Sequence, residues 1–141
     1  MAASGGVFDD VDVSVSIRFL EGTPEATAGV QLRGSTSGSY CTSFNSQGKF
    51  WAWYVDGNTL GAKTHSFVAG TVQPALHAGH YALNRLRIVA REDRIRVFHN
   101  GVLSSSVRHA ALRTGTVKVS IGPSGGPVVV GFSDLVVREA E

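Results

Sequence analysis

Residues 11–19 constrain the fold most strongly. Val11, Val13, Val15, Ile17 and Phe19 alternate with Asp12, Ser14, Ser16 and Arg18. A strict period of two puts each set on its own face of a pleated strand, so this segment reads as a half-buried strand with one wet face. The alternation recurs in shorter runs. Ala28, Val30 and Leu32 alternate with Gly29, Gln31 and Arg33, and Tyr40, Thr42 and Phe44 with Cys41 and Ser43. Leu86, Ile88 and Ala90 alternate with Arg85, Arg87 and Arg91, and Ile95 and Val97 continue the pattern against Arg94 and Arg96. Turn chemistry separates the runs: Glu21-Gly22-Thr23-Pro24, the polar loop 34–38, Ser46-Gln47-Gly48, a tight turn at Asp56-Gly57, and Arg91-Glu92-Asp93. Asn100-Gly101 is the strongest of these signals, because both central residues of a type I′ hairpin turn need φ > 0. Residues 60–68 and 70–76 read as two further extended segments, the second demoted to an edge or a loop by Pro74. Residues 102–108, 116–121 and 128–137 complete the series around a loop at 122–126, with a bulge expected at Gly131 or Ser133-Asp134. Residues 109–114 fit one helical turn, ended by Gly115.

This spacing predicts an all-β chain with little or no helix, an antiparallel sandwich or barrel of about ten to twelve short strands. The 17 glycines suit so many turns, and 141 residues suit one domain. No internal repeat points to a propeller or solenoid. No apolar run approaches the roughly 18–20 residues of a membrane-spanning helix, so no membrane insertion is expected. Residues 1–6 lack a basic segment followed by an apolar one, so they are read as a flexible leader rather than a signal peptide, ahead of a single domain at 7–139.

Lys and Arg outnumber Asp and Glu 13 to 11. That balance lacks the dense basic stripe of a nucleic-acid binder, and no nucleic-acid partner is expected. Five arginines nevertheless crowd one stretch: Arg85, Arg87, Arg91, Arg94 and Arg96. They read as the polar face of a hairpin, with a ligand-facing member suited to phosphate or carboxylate as the sharper alternative. Cys41 is alone, which excludes an intrachain disulfide and a cysteine metal site, and it reads as a half-buried strand thiol.

The run Asn84-Arg85-Leu86-Arg87-Ile88-Val89-Ala90, followed by Arg94-Ile95-Arg96-Val97-Phe98-His99-Asn100-Gly101, resembles the N-x-L-x-V … I-x-V/F-x-x-N-G core of concanavalin A-like and laminin G-like jelly rolls. These include bacterial family-66 carbohydrate-binding modules and 3-keto-disaccharide hydrolase-like domains. Ala28-Gly29-Val30-Gln31-Leu32-Arg33 with Tyr40, Gly115-Thr116-Val117-Lys118-Val119, and Phe132-Ser133-Asp134-Leu135-Val136-Val137 are similar to three other stretches of that pattern, in the same order. The resemblance implies a two-sheet β-sandwich whose first and last strands pair, with one curved sheet offering a face for glycans. It also implies an extracellular or extracytoplasmic setting, within or excised from a larger protein. Hydrolase-like members carry acids beside the second and third of these strands. Residues 40–44 carry none, which argues against hydrolysis.

The remaining chemistry points the same way. Glycoside hydrolysis needs two carboxylates about 5–10 Å apart, and the acids here fall mostly at strand ends and turns. No nucleophile motif accompanies the five histidines, and His77 and His80 read as solvated loop residues rather than metal ligands. Asp9-Asp10 resembles half a calcium site, so calcium is the one cofactor left open; none other is expected. The aromatic strand stands out. Trp51, Trp53 and Val55 lie on one face of it, and Phe50, Ala52 and Tyr54 on the other. Only one set fits the core, and the other needs a cover or a ligand. The expectation is a non-catalytic binding module, carbohydrate the favoured ligand. Sugar would stack on Trp51, Trp53 or Tyr54, with Arg33, Gln31, Arg87 and Asn45 as polar partners. A structural or protein-interaction domain is the alternative, and a keto-glycoside hydrolase the next.

Overall fold

The computed structural model describes residues 6–122 and 126–140. Most of the expected leader (1–5) and the centre of the loop at 122–126 lie outside the described residues. Ten strands run in chain order: β1 (Val11–Glu21), β2 (Thr27–Ser35), β3 (Gly38–Asn45), β4 (Lys49–Asp56), β5 (Lys63–Val72), β6 (Asn84–Arg91), β7 (Arg94–His99), β8 (Val102–Arg108), β9 (Thr116–Ile121) and β10 (Val129–Glu139). They form two antiparallel five-stranded sheets, ordered β10-β1-β6-β7-β8 and β5-β4-β3-β2-β9. The first and last strands pair, Val13 opposite Val137. The chain is thus a two-sheet β-sandwich with no helix among the described residues.

The alternation seen in the sequence becomes the core. Val11, Val13, Val15 and Ile17 face inward with Leu86, Ile88, Ala90, Ile95 and Val97 from one sheet. Ala28, Val30, Leu32, Phe44, Phe50, Val117 and Val119 meet them from the other. The register holds these sets level, with Val13 opposite Ile88 and Val30 opposite both Thr42 and Val119. A slip of one residue would turn Asp12, Ser14 and Arg87 into the core, so burial of one face specifies the pairing.

The Asn84 and Asn100 positions explain themselves structurally. Asn100 sits at φ 52 and Gly101 at φ 82, the left-handed pair that the β7–β8 turn needs. Its side chain accepts the Arg85 N–H at 2.8 Å and donates to the Ala75 carbonyl at 2.7 Å and to Asn84 Oδ1 at 2.9 Å. Asn84 in turn accepts from the His77 N–H at 2.8 Å and donates to the His77 carbonyl at 2.9 Å. The two amides therefore pin the long connection 73–83 onto the hairpin. Asn84→Ala should cost about 1–3 kcal/mol by removing the partners of the His77 N–H and carbonyl and one acceptor of the Asn100 amide, read as a lower urea midpoint with unchanged slope.

Three local expectations are corrected. The segments 60–68 and 70–76 are one strand, β5, bulged against β4 and ending before Pro74. Asp56-Gly57 opens a longer connection, 57–62, instead of a tight turn. Residues 109–114 form no helical turn, because their polar groups are satisfied by other parts of the sandwich: the Leu112 N–H donates to the Tyr40 hydroxyl at 3.2 Å and the Leu112 carbonyl accepts from Arg33 at 3.1 Å. The bulge expected near Ser133-Asp134 is present, with Asp134 at φ 52.

Candidate functional site

The open question on β4 has a definite answer. Phe50, Ala52 and Tyr54 face the core, while Trp51, Trp53 and Val55 are half-buried on the outer face of the second sheet. Register then names their neighbours. Lys118, Gln31, Cys41, Trp53 and Ser66 form one transverse row across β9, β2, β3, β4 and β5. Ser120, Gly29, Ser43 and Trp51 form the next. The two tryptophans, with Thr27, Ser43, Thr64 and Ser66, line a depression of about 390 Å³. A second depression on the same sheet, about 550 Å³, is lined by Gln31, Ser39, Val55, Asn58 and Lys118 among others.

The indole of Trp51 is seated by a glycine. Gly70 takes φ 64, and a Cβ there would lie 3.2 Å from Trp51 Nε1, so a side chain at this position would displace the ring. On the inner side, the Thr42 hydroxyl donates to the Trp51 carbonyl at 2.8 Å, fixing the backbone beneath the aromatic row. Cys41 stands between Gln31 and Trp53. Burial pushes its thiol pKa up, so it stays protonated and acts as a small apolar spacer rather than a nucleophile.

Of the expected site residues, Trp51, Trp53 and Gln31 come together; the other four do not. Arg33 follows Gln31 in sequence, but a bulge at φ 49 turns it inward, and its side chain is 0% exposed. Its Nε donates to the Asp9 carbonyl at 3.1 Å, and its Nη1 to the Glu92 carbonyl at 2.7 Å and the Leu112 carbonyl at 3.1 Å. Arg33 is a tie through the end of the sandwich, out of reach of a ligand on this face. Tyr54 is in the core, 5.5 Å from the Tyr40 ring and 5.7 Å from that of His65. Arg87 lies on the outer face of the opposite sheet, where Asp12 holds it through bonds of 2.9 and 2.7 Å. Those bonds hold the Asp12 carboxyl below the usual carboxylate range, against the opposing effect of burial. Asn45 caps the β3–β4 turn, accepting the N–H groups of Gln47 at 3.0 Å and Lys49 at 3.1 Å. The sequence reading missed Ser43, Thr64 and Ser66. Their only signal is cross-strand position, Ser43 opposite Trp51, Ser66 opposite Trp53 and Thr64 opposite Val55, which needs the register of three strands.

The half calcium site also has another occupation. Asp10 Oδ1 accepts the Glu92 N–H at 2.8 Å and faces Arg33 Nη2 at 3.4 Å. No group of three or more His, Cys, Asp or Glu side chains gathers at a metal-binding spacing among the described residues. Neither depression is lined by an Asp or Glu among those residues. What this face offers is flat aromatic surface ringed by short hydroxyl and amide groups.

The two five-stranded sheets make the fold a concanavalin A-like jelly-roll β-sandwich. No protein-family model matches the chain, and no curated protein matches it in sequence. Solved structures do match. A family-66 carbohydrate-binding module from Bacillus subtilis aligns with TM-score 0.72 at 11% identity, over 98% of this chain and 80% of that one. The galectin LEC-6 of Caenorhabditis elegans gives 0.60 at 12% identity, over 98% and 89% of the two chains. A candidate glycosyl hydrolase of Parabacteroides distasonis gives 0.60 at 6% identity, over 99% and 76%. At these identities the likeness is one of fold. No helix among the described residues is long and apolar enough to cross a membrane.

Proposed function

We propose that this chain is a non-catalytic glycan-binding module whose ligand lies across the outer face of β2–β5. The observation that carries this reading is the pair Trp51 and Trp53, half-buried at alternate positions of one strand in a depression otherwise lined mainly by short polar side chains. An indole presents a flat apolar surface to the C–H face of a sugar ring, and its neighbours meet the hydroxyls. Ser43, Thr64 and Ser66 supply donors and acceptors around the rings, and Gln31 does so from the neighbouring depression on the same face. The carbohydrate-binding module and the galectin that share the fold support the same ligand class. With no carboxylate lining either depression, paired-carboxylate hydrolysis has no groups to use there. An extracellular or extracytoplasmic setting belongs to this reading, as does calcium-independent binding.

A neutral glycan array followed by titration calorimetry tests the proposal. Trp51→Ala and Trp53→Ala are each expected to weaken the best array ligand by about 30-fold, ~2 kcal/mol, as for a central aromatic contact. Unchanged affinity in both variants would remove this face from the site. A stable homo-oligomer that buries the face would replace the glycan reading with an interaction domain.

A further inference from the structure

The opposite face carries a separate chemistry. Eight of the ten arginines, Arg18, Arg85, Arg87, Arg91, Arg94, Arg96, Arg108 and Arg138, occupy outward positions or strand ends of the first sheet. They divide into two halves. Near β1 and β10 the guanidiniums are satisfied within the fold. Arg87 and Arg138 share Asp12, and Arg85 donates to Ser14 Oγ at 2.8 Å, Ser16 Oγ at 2.9 Å and the Asp134 carbonyl at 3.0 Å. Toward β7 and β8 only Arg108 has an acid partner among the described residues. Arg91 pairs directly with Arg94, and Arg94 with Arg108, so three like charges form one transverse row across three strands. Arg96 follows on the same face of β7. These four line a depression of about 150 Å³ with Glu92 and Asp93. Of the two carboxylates, Asp93 is engaged by Arg108 at 2.8 Å. Arg91, Arg94 and Arg96 have no ion pair among the described residues.

Like charges directly opposite each other destabilise a sheet. Protection of an exposed edge accounts for Arg108 on β8. It does not account for Arg91, Arg94 and Arg96, because β6 and β7 are interior strands. From this juxtaposition we infer that the Arg91–Arg94–Arg96–Arg108 cluster is a second binding site, for the sulfate or carboxylate groups of an anionic glycan. The planar guanidinium fork pairs bidentately with such oxyanions. Nucleic acid suits the face less well. Its aromatic ring, Phe98, is covered by Arg87 at 5.4 Å, which leaves no platform for base stacking. The row spans only about 10 Å at ~4.8 Å per strand, short of the run of phosphates that a duplex presents. The choice of a glycan rests on the reading of the tryptophan face; the anion site itself does not.

The test compares fluorescent dextran sulfate, neutral dextran and a duplex DNA of equal charge. The proteins are the wild type, the double variant Arg94→Ser/Arg96→Ser, and Trp51→Ala. The wild type should bind dextran sulfate with an affinity that falls steeply with salt, and neutral dextran should not compete. The double variant should lose at least about tenfold at low salt with a flatter salt dependence, yet unfold cooperatively and keep its array ligand. Trp51→Ala should bind dextran sulfate as the wild type does. Equal affinity in the double variant overturns the site, equal competition by duplex DNA overturns the glycan assignment, and loss of dextran sulfate in Trp51→Ala overturns its independence. Retention of dextran sulfate by a wild type that binds no neutral glycan would sink the proposed function and leave the anion site standing.

Discussion

Arg33→Met should remove about 3 kcal/mol of stability, because three carbonyls lose a charged donor, and in a fold stable by about 5–15 kcal/mol that is a large share. The guanidinium is fully buried, and one side chain joins four separate segments. Through Asp9 and Asp10 it holds the chain just before β1; through Glu92 it holds the β6–β7 turn; through Leu112 it holds the connection to β9, while its own backbone belongs to β2. Methionine fills much of the volume but leaves the buried Leu112 carbonyl and the partly buried carbonyls of Asp9 and Glu92 without this donor. Burial lowers the Arg33 pKa, and the charge of Asp10 works against that shift, so Asp10→Asn should destabilise in the same direction but less. Urea unfolding at neutral pH measures both. A loss in Arg33→Met under about 1 kcal/mol would mean that the tie is dispensable, contrary to the cost of unpaired buried groups. Glycan affinity of the folded fraction should not change, because the side chain reaches neither depression.

Arg33 also shows where sequence reading stops. The strands were legible because the alternating runs are long relative to their exceptions, and Asn100-Gly101 fixed one turn by its backbone demands. The same alternation placed Arg33 on the wet face with Gly29 and Gln31. A single bulge residue at φ 49 reversed it, and no local signal distinguishes an arginine at a bulge from one on a regular strand. The helical turn expected at 109–114 failed for a related reason. Its backbone groups are satisfied by Tyr40 and Arg33, about 70 to 80 residues away in sequence, and local propensity carries no information about such partners.

The candidate site was legible to the extent that it lies within one strand. Trp51 and Trp53 were grouped by the period of two, but which face of β4 is buried was open until the pairing with β3 set Phe50 and Tyr54 beside Phe44 and Tyr40 in the core. Everything across strands needed register. Gln31 joins Trp53 because β2, β3 and β4 stand level, whereas Arg87, equally polar and equally regular, falls on the other sheet because β6 pairs with β1. Sequence order gives neither assignment until the sheet order is known.

The second large effect belongs to His99 and appears on acidification. Its ring is fully buried, with the Phe50 ring at 4.8 Å and the Phe44 ring at 5.8 Å. Nδ1 meets the Ser104 hydroxyl at 2.7 Å, and that hydroxyl also accepts from Gln73 at 2.8 Å and donates to the Val102 carbonyl at 3.4 Å. Nε2 has no hydrogen-bond partner among the described residues. An imidazolium would bring a charge into this apolar site with no acid to answer it, and burial pushes the pKa down to about 4 from an ordinary 6.5. As pH falls, the unfolded chain therefore takes up the proton before the folded one. Stability from this group is complete above about pH 6.5 and is lost progressively down to about pH 4, a total of ~3 kcal/mol. The Asp12 carboxyl, held below its ordinary 3.8 by Arg87, acts only in more acid solution, so the two windows separate. Urea midpoints measured from pH 7.5 to 4 should fall for the wild type. His99→Gln, less stable at pH 7.5 because its shape fits the aromatic pocket poorly, should lack most of that decline. Parallel curves for the two proteins would show that the acid sensitivity arises elsewhere in the sandwich.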